Sequence, residues 1–234
     1  MTEGQLSMQH SCAIGGNTGS CIELLSSQEL ELINSKMAVV NYRKGEIICK
    51  QGTPAGQIML VQEGLVKIYM ESNSNDNLVL HIMPPNNIIG LSTLSEGNTV
   101  YQFSAQAYID TRIQLIDSIT FKQILKSNPE FAMKVVGFLA DYNSIISGRF
   151  FCLTQKQTYG RFADVLLCLA NRIYKNHKFP LQLSRKELAE IAGMSVESVA
   201  RILSRFKEEK LIEEECKHLH ILDYDRMFEI SQKG

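Results

Sequence analysis

Apolar and polar positions change period twice along this chain. A short helix is predicted over 28–36, where Leu30, Leu32 and Ile33 supply apolar contacts and Ser26 or Ser27 can cap the start. From Val39 to about Asp117 the pattern turns to short β-rich runs at 39–42, 46–49, 57–62, 65–70, 78–83, 104–108 and 112–117. Turn-forming residues separate them at Lys44-Gly45, Gly52-Thr53-Pro54, Glu63-Gly64, 73–77 and Pro84-Pro85-Asn86-Asn87. Seven or eight such strands predict a sandwich or jelly roll. After Ser118 the period is helical, first to about Lys126 and then from Pro129, which suits a first helical position, to about Leu153.

That long helix carries two apolar seams. Phe131, Val135, Phe138, Tyr142 and Ile145 recur at spacings of four and three, and Val136, Leu139, Asn143, Ile146, Phe150 and Leu153 repeat the spacing on a second line. A helix with one partner needs one stripe. Two stripes predict that one face packs on the β domain and the other on a second copy, as a parallel two-fold dimer; the alternative is a helix buried within one monomer. A further helix at about 157–175 presents Phe162, Val165, Leu166, Leu169 and Ile173. The expected organisation is α+β: a flexible arm at 1–21, an effector domain at 22–127, the long helix at 128–154 and a second domain at 155–234.

The stretch 183–206 carries the most chemistry. Ser184 with Glu187 three residues on forms a capping box, Leu188, Ile191 and Ala192 face inward, and Gly193 can take the left-handed conformation that ends a helix. Ser195 then caps a second helix, about 196–209, in which Val199, Ile202, Leu203 and Phe206 form the buried stripe. Val196, Glu197, Ala200, Arg201 and Ser204 are left on the open side. This is helix-turn-helix spacing, and Leu211-Ile212 and Leu219-His220-Ile221 read as a two-stranded wing. A Glu can accept from cytosine N4 and an Arg can grip guanine O6 and N7, so Glu197 and Arg201 are the candidate base readers. Ser184, Arg185, Ser195, Ser198 and Arg205 are candidate phosphate contacts. The alternative for Glu197 and Arg201, four apart, is a surface ion pair worth about a few tenths of a kcal/mol.

Composition narrows the rest. The chain has 234 residues, 44% hydrophobic and 21% charged, as expected of a folded water-soluble protein. A net charge of -1 excludes a globally basic nucleic-acid coat, so DNA binding needs a local patch. No apolar run approaches the ~18 residues of a membrane span, and 1–19 lacks an apolar signal-peptide centre, so a cytoplasmic protein is expected. Cys12, Cys21, Cys49, Cys152, Cys168 and Cys216 are scattered, which fits thiols in a reducing compartment.

Across about residues 22–224 the sequence resembles the Crp/Fnr superfamily of bacterial transcription regulators. The resemblance rests on Gly45-Glu46, Gly52, Glu63-Gly64, Gly90, Gly160-Arg161 and Val196-Glu-Ser-Val-Ala-Arg201. It implies a cyclic-nucleotide-binding-type β roll, a long dimerisation helix and a C-terminal winged helix, with duplex DNA, a second copy and RNA polymerase as partners. It places the family's base-reading Glu and Arg on Glu197 and Arg201, with Val196 and Ala200 at neighbouring variable positions. In the cyclic-AMP-binding members a Gly-Glu pair holds the ribose and Arg-Ser-Ala holds the phosphate. Here these positions read Gly90-Leu91 and Phe103-Ser104-Ala105. Phe103 cannot replace a guanidinium fork, so cyclic AMP is not expected; Leu91 and Phe103 either fill the pocket as core or line a site for an apolar effector.

The oxygen-sensing branch ligates an iron-sulfur cluster through N-terminal cysteines. Only Cys12 and Cys21, with His10, occur here, so neither cluster nor other metal is expected, and a redox or metal sensor stays as an alternative. His81 is expected to face solvent from a strand rather than to bind haem, and His218 and His220 to solvate a hairpin rather than to bind metal. A cupin-type metalloenzyme is the rival from another class, but the β region offers it one histidine, and no enzyme is expected.

Overall fold

The computed structural model describes residues 14–15, 22–72, 77–97 and 99–233. Helix α1 (Ser27–Lys36) starts at a closed capping box: the Glu29 N–H donates to Ser26 Oγ, and the Ser26 N–H donates to the Glu29 carboxylate at 2.8 Å. Eight strands follow: β1 (Ala38–Tyr42), β2 (Ile47–Cys49), β3 (Gln57–Glu63), β4 (Val66–Met70), β5 (Leu78–Met83), β6 (Ile88–Ile89), β7 (Ser104–Ala107) and β8 (Thr111–Asp117). Among the described residues they form two four-stranded antiparallel sheets, ordered β1-β8-β3-β6 and β2-β7-β4-β5.

Strand β3 explains the layering. Its Met59 and Val61 point between the sheets with Val66, Ile68, Ala105 and Ile113, while Ile58 and Leu60 point outward to a second apolar cluster. That cluster is completed by Ile33, by Phe121 and Ile124 of α2 (Ser118–Ser127), and by Phe131, Val135 and Phe138 of α3 (Pro129–Gln155). Burial on both faces is why β3 reads as an unbroken apolar run. The first seam of α3 thus packs on the β domain. The second stays open within one chain, with Val136 at 53%, Leu139 at 41% and Phe150 at 69% exposure.

His81 differs from expectation. It is buried, not solvent-facing, because β4 and β5 pair Val66 with Met83 and Ile68 with His81, which sets the imidazole on the inner face. Tyr142 of α3 meets it edge-on with ring centroids 5.4 Å apart.

The chain divides into two compact units, Asn17–Ser144 and a second made of Ile145–Gly234 with the start of the chain. In the second, α4 (Thr158–Cys168) runs on into a wider π-type turn over Leu169–Tyr174 instead of staying α-helical to residue 175. Then come β9 (Lys178–Pro180), α5 (Arg185–Ala192), α6 (Val196–Glu208), β10 (Ile212–Glu215), β11 (His218–Ile221) and α7 (Tyr224–Lys233). The strands form one antiparallel sheet, β10-β11-β9. The buried Lys156 ammonium ties the end of α3 to the Asp164 carboxylate on α4 and to the Ser231 carbonyl on α7. Within the predicted arm, Ile14 is fully buried and the Gly15 carbonyl accepts from Arg172 at 3.3 Å, so the chain is held at these two positions.

Candidate nucleic-acid interface

Helices α5 and α6 begin where serine side chains cap them. At α5 the Glu187 N–H donates to Ser184 Oγ at 3.2 Å and the Ser184 N–H donates back to the Glu187 carboxylate at 2.6 Å. Gly193 ends the helix at φ +59°, and a Cβ there would stand 2.8 Å from Leu153 Cδ2, so both backbone and space call for glycine. At α6 the Ser198 N–H donates to Ser195 Oγ at 3.2 Å, and the Ser195 hydroxyl reaches Ser198 Oγ at 3.1 Å.

Val199, Ile202, Leu203 and Phe206 of α6 are buried, and Val196, Glu197, Ala200, Arg201 and Ser204 are exposed. Glu197 and Arg201 stand one turn apart at the N-terminal half of this open face. The Glu197 carboxyl is held below its ordinary value by its own backbone N–H and then by Ser195. Arg201 makes no ion pair among the described residues. The alternative of a Glu197–Arg201 surface pair is therefore not what the structure forms.

The flanking cations are placed differently. Arg205, expected at phosphates, donates to Glu209 at 2.7 Å and lies 4.6 Å over the Tyr159 ring, on the edge of α6 facing α4. Arg185 donates to Glu214 at 2.5 Å, and the same carboxylate takes Lys207 on its other oxygen. Ser184 sits in the mouth of a groove of about 340 Å³ between the start of α5 and the wing, lined also by Leu183, Arg185, Lys217 and His218.

The wing is longer than its sequence suggested. Its strands pair from Ile212↔Ile221 to Glu215↔His218, leaving only Cys216 and Lys217, at φ +47° and +65°, to turn the chain. His218 and His220 lie directly across from Glu215 and Glu213. Glu214 and Lys207 were missed as site residues. The period of two was the available signal, since it puts Glu214 on the same face as Ile212, where a carboxylate needs a cation.

The expected effector positions are not brought together as one lining. Gly90 adopts φ +94°, with a Cβ there only 2.9 Å from the Gln57 carbonyl, and Leu91 after it packs toward the outer cluster with α2 and α3. Phe103 packs between the sheets beside Ala105 and Tyr101. The buried Ser104 hydroxyl donates to Glu71 at 2.6 Å and accepts from the Gln51 N–H at 2.9 Å. Of the second α3 seam, Val136, Leu139, Asn143 and Phe150 are exposed and Ile146 is half-buried.

Cys49, Cys152 and Cys168 are buried, and burial pushes the Cys49 thiol up to about 12. Cys216 is exposed at the wing turn. His10, Cys12 and Cys21 lie outside the described residues. No group of three His, Cys, Asp or Glu side chains among the described residues is placed to hold a metal ion. No described helix is long and apolar enough to cross a membrane.

A winged helix-turn-helix with an open reading face, in a chain whose other unit is a β sandwich of this topology, defines a DNA-binding regulator. Residues 160–230 match the Crp-like helix-turn-helix domain and residues 39–128 the cyclic nucleotide-binding domain. The transcriptional activator protein anr of Pseudomonas aeruginosa is 26% identical over 185 residues, 77% of this chain and 75% of its own length. The cAMP-activated global transcriptional regulator CRP of Salmonella typhimurium is 23% identical over 186 residues, 78% of this chain and 89% of its own. In fold, FixK2 from Bradyrhizobium japonicum matches with a TM-score of 0.76 at 21% identity, over 83% of this chain and 96% of that one. The chain belongs to the Crp/Fnr family of transcription regulators.

Proposed function

We propose that two copies of this chain pair through the second seam of α3 and read a two-fold-symmetric operator, one α6 in each half-site. Arg201 carries this reading: an exposed guanidinium without an ion-pair partner among the described residues, one turn from Glu197, where a recognition helix meets base edges. Val196 and Ala200 flank the two readers with apolar contact, and the capping hydroxyls of Ser184, Ser195 and Ser198 supply phosphate donors. Support for pairing comes from Val136, Leu139 and Phe150, large apolar side chains left open along one helix line.

The effector is not cyclic AMP, although a relative carries that ligand in its name. A cyclic phosphate at Ser104 would meet the Glu71 carboxylate instead of a guanidinium. Selection of bound sequences from random duplex DNA by the purified protein tests the whole reading. Enrichment of inverted half-sites about one helical turn apart, each with a TGA-like core as the family resemblance suggests, is the expected result. No enrichment, or enrichment of single unpaired sites, overturns it.

A further inference from the structure

One carboxylate on the wing engages two cations, one on each oxygen, and offsets one of their charges. Strand β10 alternates, so Ile212 and Glu214 turn toward α5 and α6 while Glu213 and Glu215 turn to solvent opposite His220 and His218. The Glu214 side chain is 17% exposed, and each of its oxygens is engaged, one by Arg185 at the first position of α5 and one by Lys207 in the last turn of α6. Burial alone would raise its pKa, yet the hydrogen bonds from Lys207 and Arg185 hold it below the ordinary range. Lys207 shares a helix line with Val196 and Ala200, so it borders the reading face, and Arg185 lines the groove between the start of α5 and the wing. Phosphate affinity of a DNA-binding surface comes from cations that can shed counterions onto the duplex, and a cation already paired with a carboxylate supplies none.

We infer that Glu214 withholds Arg185 and Lys207 from the DNA backbone and so limits the sequence-independent affinity of the protein. The inference rests on the DNA-binding reading above.

The test is binding of the 234-residue chain to a scrambled duplex and to its selected operator, each at about 50 and 200 mM salt. Glu214→Gln keeps size and hydrogen-bonding capacity and removes the charge. It is expected to tighten binding to both duplexes by the same factor and to steepen the logarithmic salt slope by about 0.9, since removing one negative charge frees one cation equivalent for phosphate. Glu213→Gln changes net charge equally but lies on the solvent face, and it leaves the slope unchanged. Lys207→Gln in the otherwise unaltered chain also leaves the slope unchanged, and in the Glu214→Gln background it takes back about 0.9. A folded Glu214→Gln protein that binds no tighter, or a Lys207→Gln protein with a shallower slope, overturns the inference. Should Glu214→Gln fail to fold, the Lys207→Gln arm decides alone. An unaltered chain that binds neither duplex overturns the DNA-binding reading itself, and this inference with it.

Discussion

The Arg149 guanidinium of α3, 2% exposed, donates to the Ile191 carbonyl at 2.5 Å, so a buried cation on the long helix closes the last turn of the first helix of the DNA-binding motif. Arg161 completes the same end by donating to the Gly193 carbonyl at 3.0 Å and to Leu153 at 3.1 Å. Positive charge is favourable at a helix C-terminus, where carbonyls lack intrahelical partners. Arg149→Met should cost about 1.5–3 kcal/mol, the range for a hydrogen bond to a charged group. Thermal unfolding of the purified protein would show it, and an unchanged midpoint would mean that the bond contributes nothing.

Arg201→Ala is expected to lose about 1–3 kcal/mol against the best operator and to relax preference at one base pair. A competition assay against scrambled DNA distinguishes this from a backbone role. Equal losses on both duplexes would remove Arg201 from base reading. Arg205→Ala should change DNA affinity less, because that guanidinium is already spent on Glu209 and Tyr159.

Charges placed together at Leu139 and Ile146 should separate the two copies. Each would sit unpaired in an apolar seam at a cost of several kcal/mol, roughly, while Phe131, Val135 and Phe138 keep α3 seated on the β domain. Sedimentation of the doubly substituted protein reads the outcome directly. A folded and fully dimeric species would place the interface elsewhere.

Calorimetric titration with cyclic AMP should give no micromolar binding. A dissociation constant at that level, about -8 kcal/mol, would require that Glu71 release Ser104 and that Phe103 leave its place between the sheets.

Removing one partner of the Lys156–Asp164 pair leaves the other charge buried. Asp164→Ala should therefore destabilise the protein by about 3–5 kcal/mol, and adding Lys156→Met should restore much of the loss, since the pair itself is weak support once desolvation is counted. Denaturant titration of the two variants checks the sign of both steps.

Local signals made the fold legible where one residue satisfied its own neighbourhood. The two capping boxes, at Ser26 and Ser184, and the glycine at 193 are readable because donor and acceptor lie three or four residues apart. Strand β6 is two residues long and β9 ends in Pro180, too short for any period to show. The wing turn hid because Cys216 and Lys217 are not the Asn or Gly that usually adopt positive φ. Helix α7 buries only Met227, Ile230 and Ser231, a stripe too thin to declare itself. The reading face followed from helical spacing, and the Arg205–Glu209 pair, four residues apart, obeys the same spacing. Glu214 beside Arg185 and Tyr159 beneath Arg205 did not follow, because packing of elements remote in sequence sets them there.

The wide turn over Leu169–Tyr174 amounts to one residue more than a regular helix would use to cover the same distance. It is a place where the chain holds slack. A single-residue deletion inside 169–174 can be absorbed by tightening the turn to ordinary α geometry, whereas the same deletion in the first turn of α6 would rotate every later side chain by about 100° and carry Ile202 and Phe206 of the buried stripe to the exposed positions of Arg201 and Arg205. Length variation in this unit is therefore tolerable ahead of β9 and intolerable once the recognition helix has begun.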